Sequence, residues 1–496
     1  MKELTIPLRA DSHVPLYEQI YEYIKGEITN ARISAGEKLP STRLLAGYLS
    51  VSRSTVILAY DQLLSEGYIE NVPRSGYLVC DIETVFPKLP EPAPGAGWRK
   101  GAASENGGSF AWASGSSHQE EHTGQSGLRS ESGTVYDFSP YAVEWPESSM
   151  NAWRKATKAM LQEEMTDLFC SGESQGEENL REVICEYLHQ SRGVNCDSSQ
   201  VVIGAGNEYL LMLLYQVMEG ERSIAMESPT YRQAYQIFMN LGWNVEPVPM
   251  DESGMLLPQL RASGAGLAYI MPSHQFPLGS VMPMKRRMEL LQWAGEEEGR
   301  YIIEDDYDSE FRYKGKPIPS LQGSDAYGRV IYLGTFSKSI APAIRVSYMV
   351  LPPRLLGLYQ ERCGFYSSTV SRIPQQTLYH FLKDGYFERH LNKMRGIYRA
   401  RHDALLGALK GKAFVKRIWG ENAGLHILVE LAGDQSEEQI IREAMKHGIR
   451  VYGLGEYAIQ AKTQNYGGSA VLLLGYAGLT ETQIAQGVQK LSELII

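Results

Sequence analysis

Lys338 lies in the run Val330-Ile-Tyr-Leu-Gly-Thr-Phe-Ser-Lys-Ser339, just beyond an apolar, strand-like stretch and among small hydroxyl residues. A lysine at the mouth of a buried sheet loses solvation, so its pKa falls and its amine can attack a carbonyl carbon, whereas a surface lysine stays protonated and inert. Upstream, Tyr301-Ile-Ile-Glu-Asp-Asp-Tyr-Asp308 ends another apolar stretch in carboxylates and a phenol. Alternate residues of an extended chain share a face, so Asp305 and Tyr307 are expected to point one way and Glu304 and Asp306 the other. A third stretch, Ile203-Gly-Ala-Gly-Asn-Glu-Tyr-Leu-Leu211, joins a short apolar strand to an apolar helix. The amides of Ala205, Gly206 and Asn207 can there face an anion at the helix N-terminus. Thr335 and Ser337 add hydroxyls beside the lysine, and Arg345 adds a fixed cation.

A carboxylate and a phenol beside a Schiff-base lysine form the set that pyridoxal 5'-phosphate chemistry requires. The carboxylate keeps the pyridine nitrogen protonated, and the phenol hydrogen-bonds the ring oxygen. Tyr231, in the turn Glu227-Ser-Pro-Thr-Tyr231, could stack on the ring or simply pack. In Pro272-Ser-His-Gln-Phe-Pro-Leu-Gly279, His274 or Gln275 could reach the ring oxygen. A cation bound by the acidic cluster is the rival reading, weakened because adjacent carboxylates on one strand face opposite ways. The five cysteines are spread along the chain without a CxxC, so neither a metal site nor a disulfide framework is expected.

With 496 residues, the chain calls for two or three domains to position these groups. Apolar spacing predicts a first helix from Val14 to Asn30, a second capped by Ser41 and a third from Arg53, capped by Ser52. Two short strands around Pro73-Arg-Ser75 complete the plan of a winged helix-turn-helix over residues 1–80. Residues 81–133 are rich in Pro, then Gly and Ser, without apolar periodicity, and read as a flexible linker. From 134 to about 352, strand-like runs alternate with helices, the mark of a mostly parallel sheet covered on both faces. Beyond about 353, two helices (Gln375–Leu391 and Arg395–Leu409) and later short strands predict a smaller C-terminal α+β domain. The net charge of -10 excludes bulk coating of nucleic acid, so a DNA-binding head must rely on a one-sided patch and on dimerisation. No apolar run is long enough to span a membrane, and the composition fits the cytoplasm.

Leu39-Pro-Ser-Thr-Arg-Leu-Leu-Ala46, Val51-Ser-Arg-Ser-Thr-Val56 and Leu63-Leu-Ser-Glu-Gly-Tyr68 closely resemble the DNA-binding domain of the GntR family. The resemblance implies that Arg43, Ser52, Arg53 and Thr55 meet phosphates and base edges, with Arg74 and Gly76 on the wing. The lysine motif, the acidic strand end and the Ser-Pro-Thr-Tyr turn, in this order, resemble a fold-type I, class I aminotransferase. A head and body of these kinds on one chain resemble the MocR/GabR-like bacterial transcriptional regulators, as do Ser371-Arg-Ile-Pro-Gln375 and Arg389-His-Leu-Asn-Lys-Met-Arg395. The resemblance implies a homodimer that binds double-stranded operator DNA and pyridoxal 5'-phosphate. It also implies sensing of an amine or amino-acid effector through external aldimine formation at Lys338, rather than steady enzymatic turnover. A working class I aminotransferase with a tethering head is the alternative, and a body that has lost its cofactor a third reading. Where such aminotransferases place a late carboxylate-binding arginine, this chain has Leu472, Leu473 and Leu474, which leaves Arg232 and Arg372 as effector candidates.

Overall fold

Ile20, Ile24 and Ile28 share one face of the helix Leu16–Thr29, and that face is buried with Val56, Ala59 and Leu63 of the helix Arg53–Glu66. The computed structural model describes residues 6–9, 12, 14–72, 76–81, 136–162, 166–218, 223–313, 318–459 and 469–495. Between those helices, Thr42–Leu49 starts at Ser41, whose hydroxyl accepts the Leu44 amide at 3.2 Å. Ser52 does the same for Thr55 at 3.2 Å. Each such cap contributes about 1 kcal/mol to helix stability. Ile69–Val72 and Gly76–Val79 pair antiparallel and complete the winged head. Arg74 lies outside the described residues, as does the linker apart from Asp81.

The body is organised on eight strands in the order Val201–Gly204, Ser347–Val350, Val330–Thr335, Tyr301–Asp306, Leu267–Ile270, Ser223–Ser228, Asn244–Asp251, Gly254–Met255. Ser347–Val350 runs antiparallel to both its neighbours and Gly254–Met255 to Asn244–Asp251, while the remaining pairs are parallel. Alternate residues of Tyr301–Asp306 enter different cores: Ile302 packs with Trp293, and Ile303 with Leu211 and Phe238. Such a strand needs helices on both faces. The strand Asn244–Asp251 escapes sequence reading because Pro247 and Pro249 interrupt it. Proline is tolerated here because the strand lies next to the edge, its outer side paired only at Met250 and Asp251.

Several boundaries differ from the expectation. The two long helices break at Asp384-Gly385 rather than near residue 393, giving Arg372–Lys383 and Tyr386–Leu409, because Gly385 adopts a left-handed φ of 68°. Tyr136–Asp137 pairs in parallel with Ile449–Arg450, so the first residues of the body join the C-terminal lobe. That pairing spans the length of the body and leaves no local pattern. Two of the cysteines read as well separated, Cys185 and Cys196, bring their sulfurs to 3.5 Å. The head sits on the body where Gly67, at φ 75°, passes Pro283; a Cβ at Gly67 would lie 2.5 Å from the Pro283 Cβ. Among the described residues, no helix is long and apolar enough to cross a membrane.

Candidate functional site

Parallel strands end together, and their carboxyl ends bring distant segments to one cavity of about 370 Å³. Tyr301–Asp306 delivers Asp305 and Tyr307, Val330–Thr335 delivers Thr335, Ser337 and Lys338, and the turn after Val201–Gly204 delivers Asn207. Arg345 and Tyr231 complete the predicted members of its lining. Glu304 and Asp306 face away. Glu304 accepts the amides of Leu321 and Gln322 at 2.8 and 2.9 Å, while Asp306 is paired with Arg192 at 2.7 Å and accepts the Tyr332 hydroxyl at 2.5 Å.

Burial lowers the Lys338 amine from 10.5 to about 8, and the amine donates to the Pro140 carbonyl at 3.0 Å, with its nitrogen 5.4 Å from the centre of the Tyr141 ring. An amine so placed spends a substantial fraction of its time neutral near physiological pH, the form that attacks a carbonyl. Burial pushes Asp305 up to about 7, and the Tyr269 hydroxyl opposes the rise by donating to it. Asn207 donates to its other oxygen at 3.2 Å. The Tyr307 hydroxyl lies 2.9 Å from His274 Nδ1, and His274 Nδ1 lies 2.9 Å from Asp308. Burial also raises the Tyr307 phenol well above its ordinary range.

The remaining predicted residues are placed less simply. His274 stands behind Tyr307 and outside the lining, while Gln275 is spent on its loop, donating to Pro229 O and accepting the Leu278 amide, both at 2.9 Å. The three-amide cradle is reduced: the Ala205 amide donates to the Thr369 hydroxyl at 3.1 Å, and the Gly206 amide to Gly204 O at 2.9 Å. Thr335 caps the turn through the Ser337 amide at 3.1 Å and accepts from Ser347 at 2.9 Å. Arg345 is paired with Glu208 at 2.6 Å, so an anion at this end competes with a carboxylate. The two effector candidates, Arg232 and Arg372, stand outside the lining. Arg232 is exposed and donates to Glu456 O at 3.0 Å, Arg372 makes a two-bond ion pair with Glu177 at 2.8 and 2.9 Å, and neither lines the cavity. Gln233 lines it instead, with its buried side-chain oxygen lacking a partner among the described residues. Tyr141, Glu208, Tyr269 and Phe276 have no chemical signal of their own in the sequence; Glu208 and Phe276 lie inside motifs whose signal comes from their neighbours, while Tyr141 and Tyr269 lie in no motif.

In the head, Arg43, Ser52 and Arg53 are exposed and Thr55 is half-buried, all at the starts of the second and third helices. The Ser52 hydroxyl is within 2.7 Å of Thr55 Oγ1 as well as capping its amide. Gly76, at φ 91°, opens the second wing strand beside Lys38.

Two family models match the chain. Residues 16–79 match the bacterial regulatory proteins of the gntR family, and residues 140–491 match aminotransferase class I and II. Relatives align with nearly the whole chain. A Bacillus subtilis protein described as the uncharacterized HTH-type transcriptional regulator YdeL is 39% identical over 99% of this chain and 98% of its own. The probable rhizopine catabolism regulatory protein MocR of Rhizobium meliloti is 32% identical over 98% and 94%. The chain belongs to the MocR/GabR-like family of regulators. Among solved structures, the multiple substrate aminotransferase of Thermococcus profundus superposes with a TM-score of 0.64 at 26% identity, covering 74% of this chain and 92% of its own.

Membership implies pyridoxal phosphate, and the cavity fits that group. A desolvated amine and a buried carboxylate line the same wall space, and Asn207 keeps a buried side-chain oxygen without a partner among the described residues. Gly206 leaves room that any Cβ would fill, since that Cβ would overlap the Arg345 guanidinium.

Proposed function

We propose that the chain is a pyridoxal-phosphate-dependent transcriptional regulator that senses an amine or amino-acid effector at Lys338. The observation that carries the reading is a desolvated lysine sharing one cavity with Asp305 and Tyr307, in a chain that begins with a winged helix-turn-helix. When bound, the cofactor supplies an aldehyde carbon for which the Lys338 amine and an effector amine compete.

In this reading Asp305 would hold the ring nitrogen's proton, and the hydroxyl of Tyr269 favours the ionised form of Asp305 by offsetting part of its burial. Tyr307 hydrogen-bonds the ring oxygen, itself steadied by His274 and Asp308. Ser337, the start of the helix Asn207–Val217 and Arg345 hold the phosphate, with Glu208 as competitor for the arginine. Tyr231 and Phe276, 6.1 Å apart edge to face, wall the space beside the ring. Neither Arg232 nor Arg372 lines that space.

The head reads DNA through Arg43, Arg53, Thr55 and the Ser52 helix start, with Gly76 and Arg74 on the wing. A route from cavity to head runs through Arg287, which donates to Pro272 O at the start of the His274 loop and to Met282 O beside Pro283, both at 2.9 Å. Pro283 in turn touches Gly67 of the head. The working unit is a cytoplasmic homodimer on an operator. Phe365 and Tyr366 are 75% and 40% exposed, close in sequence to Thr369, which reaches the cavity turn at Ala205; such apolar surface is suited to a second copy.

The test is absorbance followed by DNA binding. Full-length protein mixed with pyridoxal phosphate should gain the visible band of lysine-bound cofactor, Lys338→Ala should not, and an effective amine should shift the band and change operator affinity. A chain with no band, or a Lys338→Ala variant that retains it, refutes the cofactor reading. The likeness to a working aminotransferase favours one alternative, a tethered enzyme, which sustained turnover of an amino acid with a 2-oxo acid would establish.

A further inference from the structure

Cys185 and His189 stand one turn apart on the helix Glu178–Arg192. The helix stops at Gly193, at a left-handed φ of 63°, and the chain doubles back so that Cys196 faces both. Cys185 Sγ lies 3.5 Å from Cys196 Sγ and 3.8 Å from His189 Nε2, and all three atoms lie within 4.8 Å of one another. The two cysteines are buried, 6% and 8% exposed, and His189 is exposed.

These separations suit a tetrahedral cation. With metal–sulfur bonds of about 2.3 Å and metal–nitrogen bonds of about 2.0 Å, a zinc tetrahedron has sulfur–sulfur edges of about 3.8 Å and sulfur–nitrogen edges of about 3.5 Å. The observed 3.5 and 3.8 Å lie within about 0.3 Å of those values. At present the donors are held by weaker partners. Cys185 Sγ donates to the Cys196 carbonyl at 3.1 Å, and His189 Nε2 lies 2.8 Å from the same oxygen and 3.4 Å from the Cys196 amide. A cleft lined by Asn195, Cys196, Asp197 and Gln200 gives access from solvent.

We propose that Cys185, His189 and Cys196 bind a thiophilic divalent cation of the zinc type, with water as the fourth ligand. Each thiol releases its proton to solvent as its sulfur–metal bond forms, and no electron changes hands. Burial raises both thiols, which makes them poor nucleophiles for disulfide exchange; a cation deprotonates them outright. The site closes over the turn that carries Arg192, whose guanidinium bonds Asp306 and Ser273 at 2.7 and 2.6 Å, next to the strand end that holds Asp305. Nothing in this site depends on the cofactor.

Cobalt(II) is the probe, added to reduced full-length protein under anaerobic conditions. One equivalent should bind with a thiolate-to-cobalt charge-transfer band, and zinc should displace it. Cys196→Ala should abolish the band. His189→Ala, which alters an exposed side chain and so spares the fold, should weaken cobalt binding roughly tenfold or more. A variant with Cys80, Cys170 and Cys363 all changed to Ala should keep it. No band in the parent protein, a band surviving Cys196→Ala, or loss of the band in the triple variant would each overturn the proposal. So would air oxidation that consumes two of the five thiols as a Cys185–Cys196 disulfide in protein that takes up no metal.

Discussion

Lys338→Met should make the cofactor-free protein more stable at pH 7. Folding carries the amine into a site where burial lowers it from 10.5 to about 8, and a shift of that size corresponds to about 3 kcal/mol against folding with the amine charged. Lys338 is partly open to the cavity, and water there trims the penalty to about 2 kcal/mol. Met has nearly the same length and no charge, but it gives up the bond to Pro140 O, a loss of about 1 kcal/mol. The expected net gain is about 1 kcal/mol at pH 7. Its sign with pH is fixed by linkage: between about 8 and 10.5 the unfolded chain binds more protons than the folded one, so the parent protein gains stability as pH rises. Above 10.5 the penalty is gone and the variant retains only the loss of a hydrogen bond. Urea midpoints of cofactor-stripped parent and variant, followed from pH 7 to 10.5, measure both effects. A variant less stable than the parent at pH 7, or a difference that does not narrow and reverse as pH rises, refutes a desolvated Lys338.

Arg192→Leu strands Asp306 in a buried site and should cost about 3–5 kcal/mol, lowering the thermal midpoint; adding Asp306→Asn should recover part of the loss. Gly206→Ala places a Cβ on the Arg345 guanidinium at a φ of 96° and should weaken cofactor retention by about tenfold in a titration followed by absorbance, whereas Ala205→Gly should change it little. Arg53→Ala should weaken operator binding by about 1–3 kcal/mol, and a reduced dependence of affinity on salt would mark its contact as a phosphate rather than a base.

Local pattern carries much of this protein, because helical and strand periodicities are short-range. Residues three or four apart make the head helices legible, Ser41 and Ser52 mark their starts, and strand alternation by itself separates Asp305 and Tyr307 from Glu304 and Asp306. The motif around Lys338 marks an amine that the fold then buries in the cavity, for the same reason: a strand, a turn and small hydroxyls are contiguous. What only the tertiary structure decided depends on who meets whom across the chain. Arg232 and Arg372 have the right charge for a carboxylate, but Glu456 O and Glu177 hold them elsewhere. Ala205 opens a loop suited to anions, yet Thr369 occupies its amide. Tyr269 and Tyr141 show no motif, and they border the chemistry only because parallel strands end together and the first segment of the body returns beneath the lysine. Cys185 and Cys196 are eleven residues apart with no spacing that signals a site; a helix stop at Gly193 makes them neighbours. Polar groups are set by their partners, and partners distant in sequence are chosen by the packing of the whole fold.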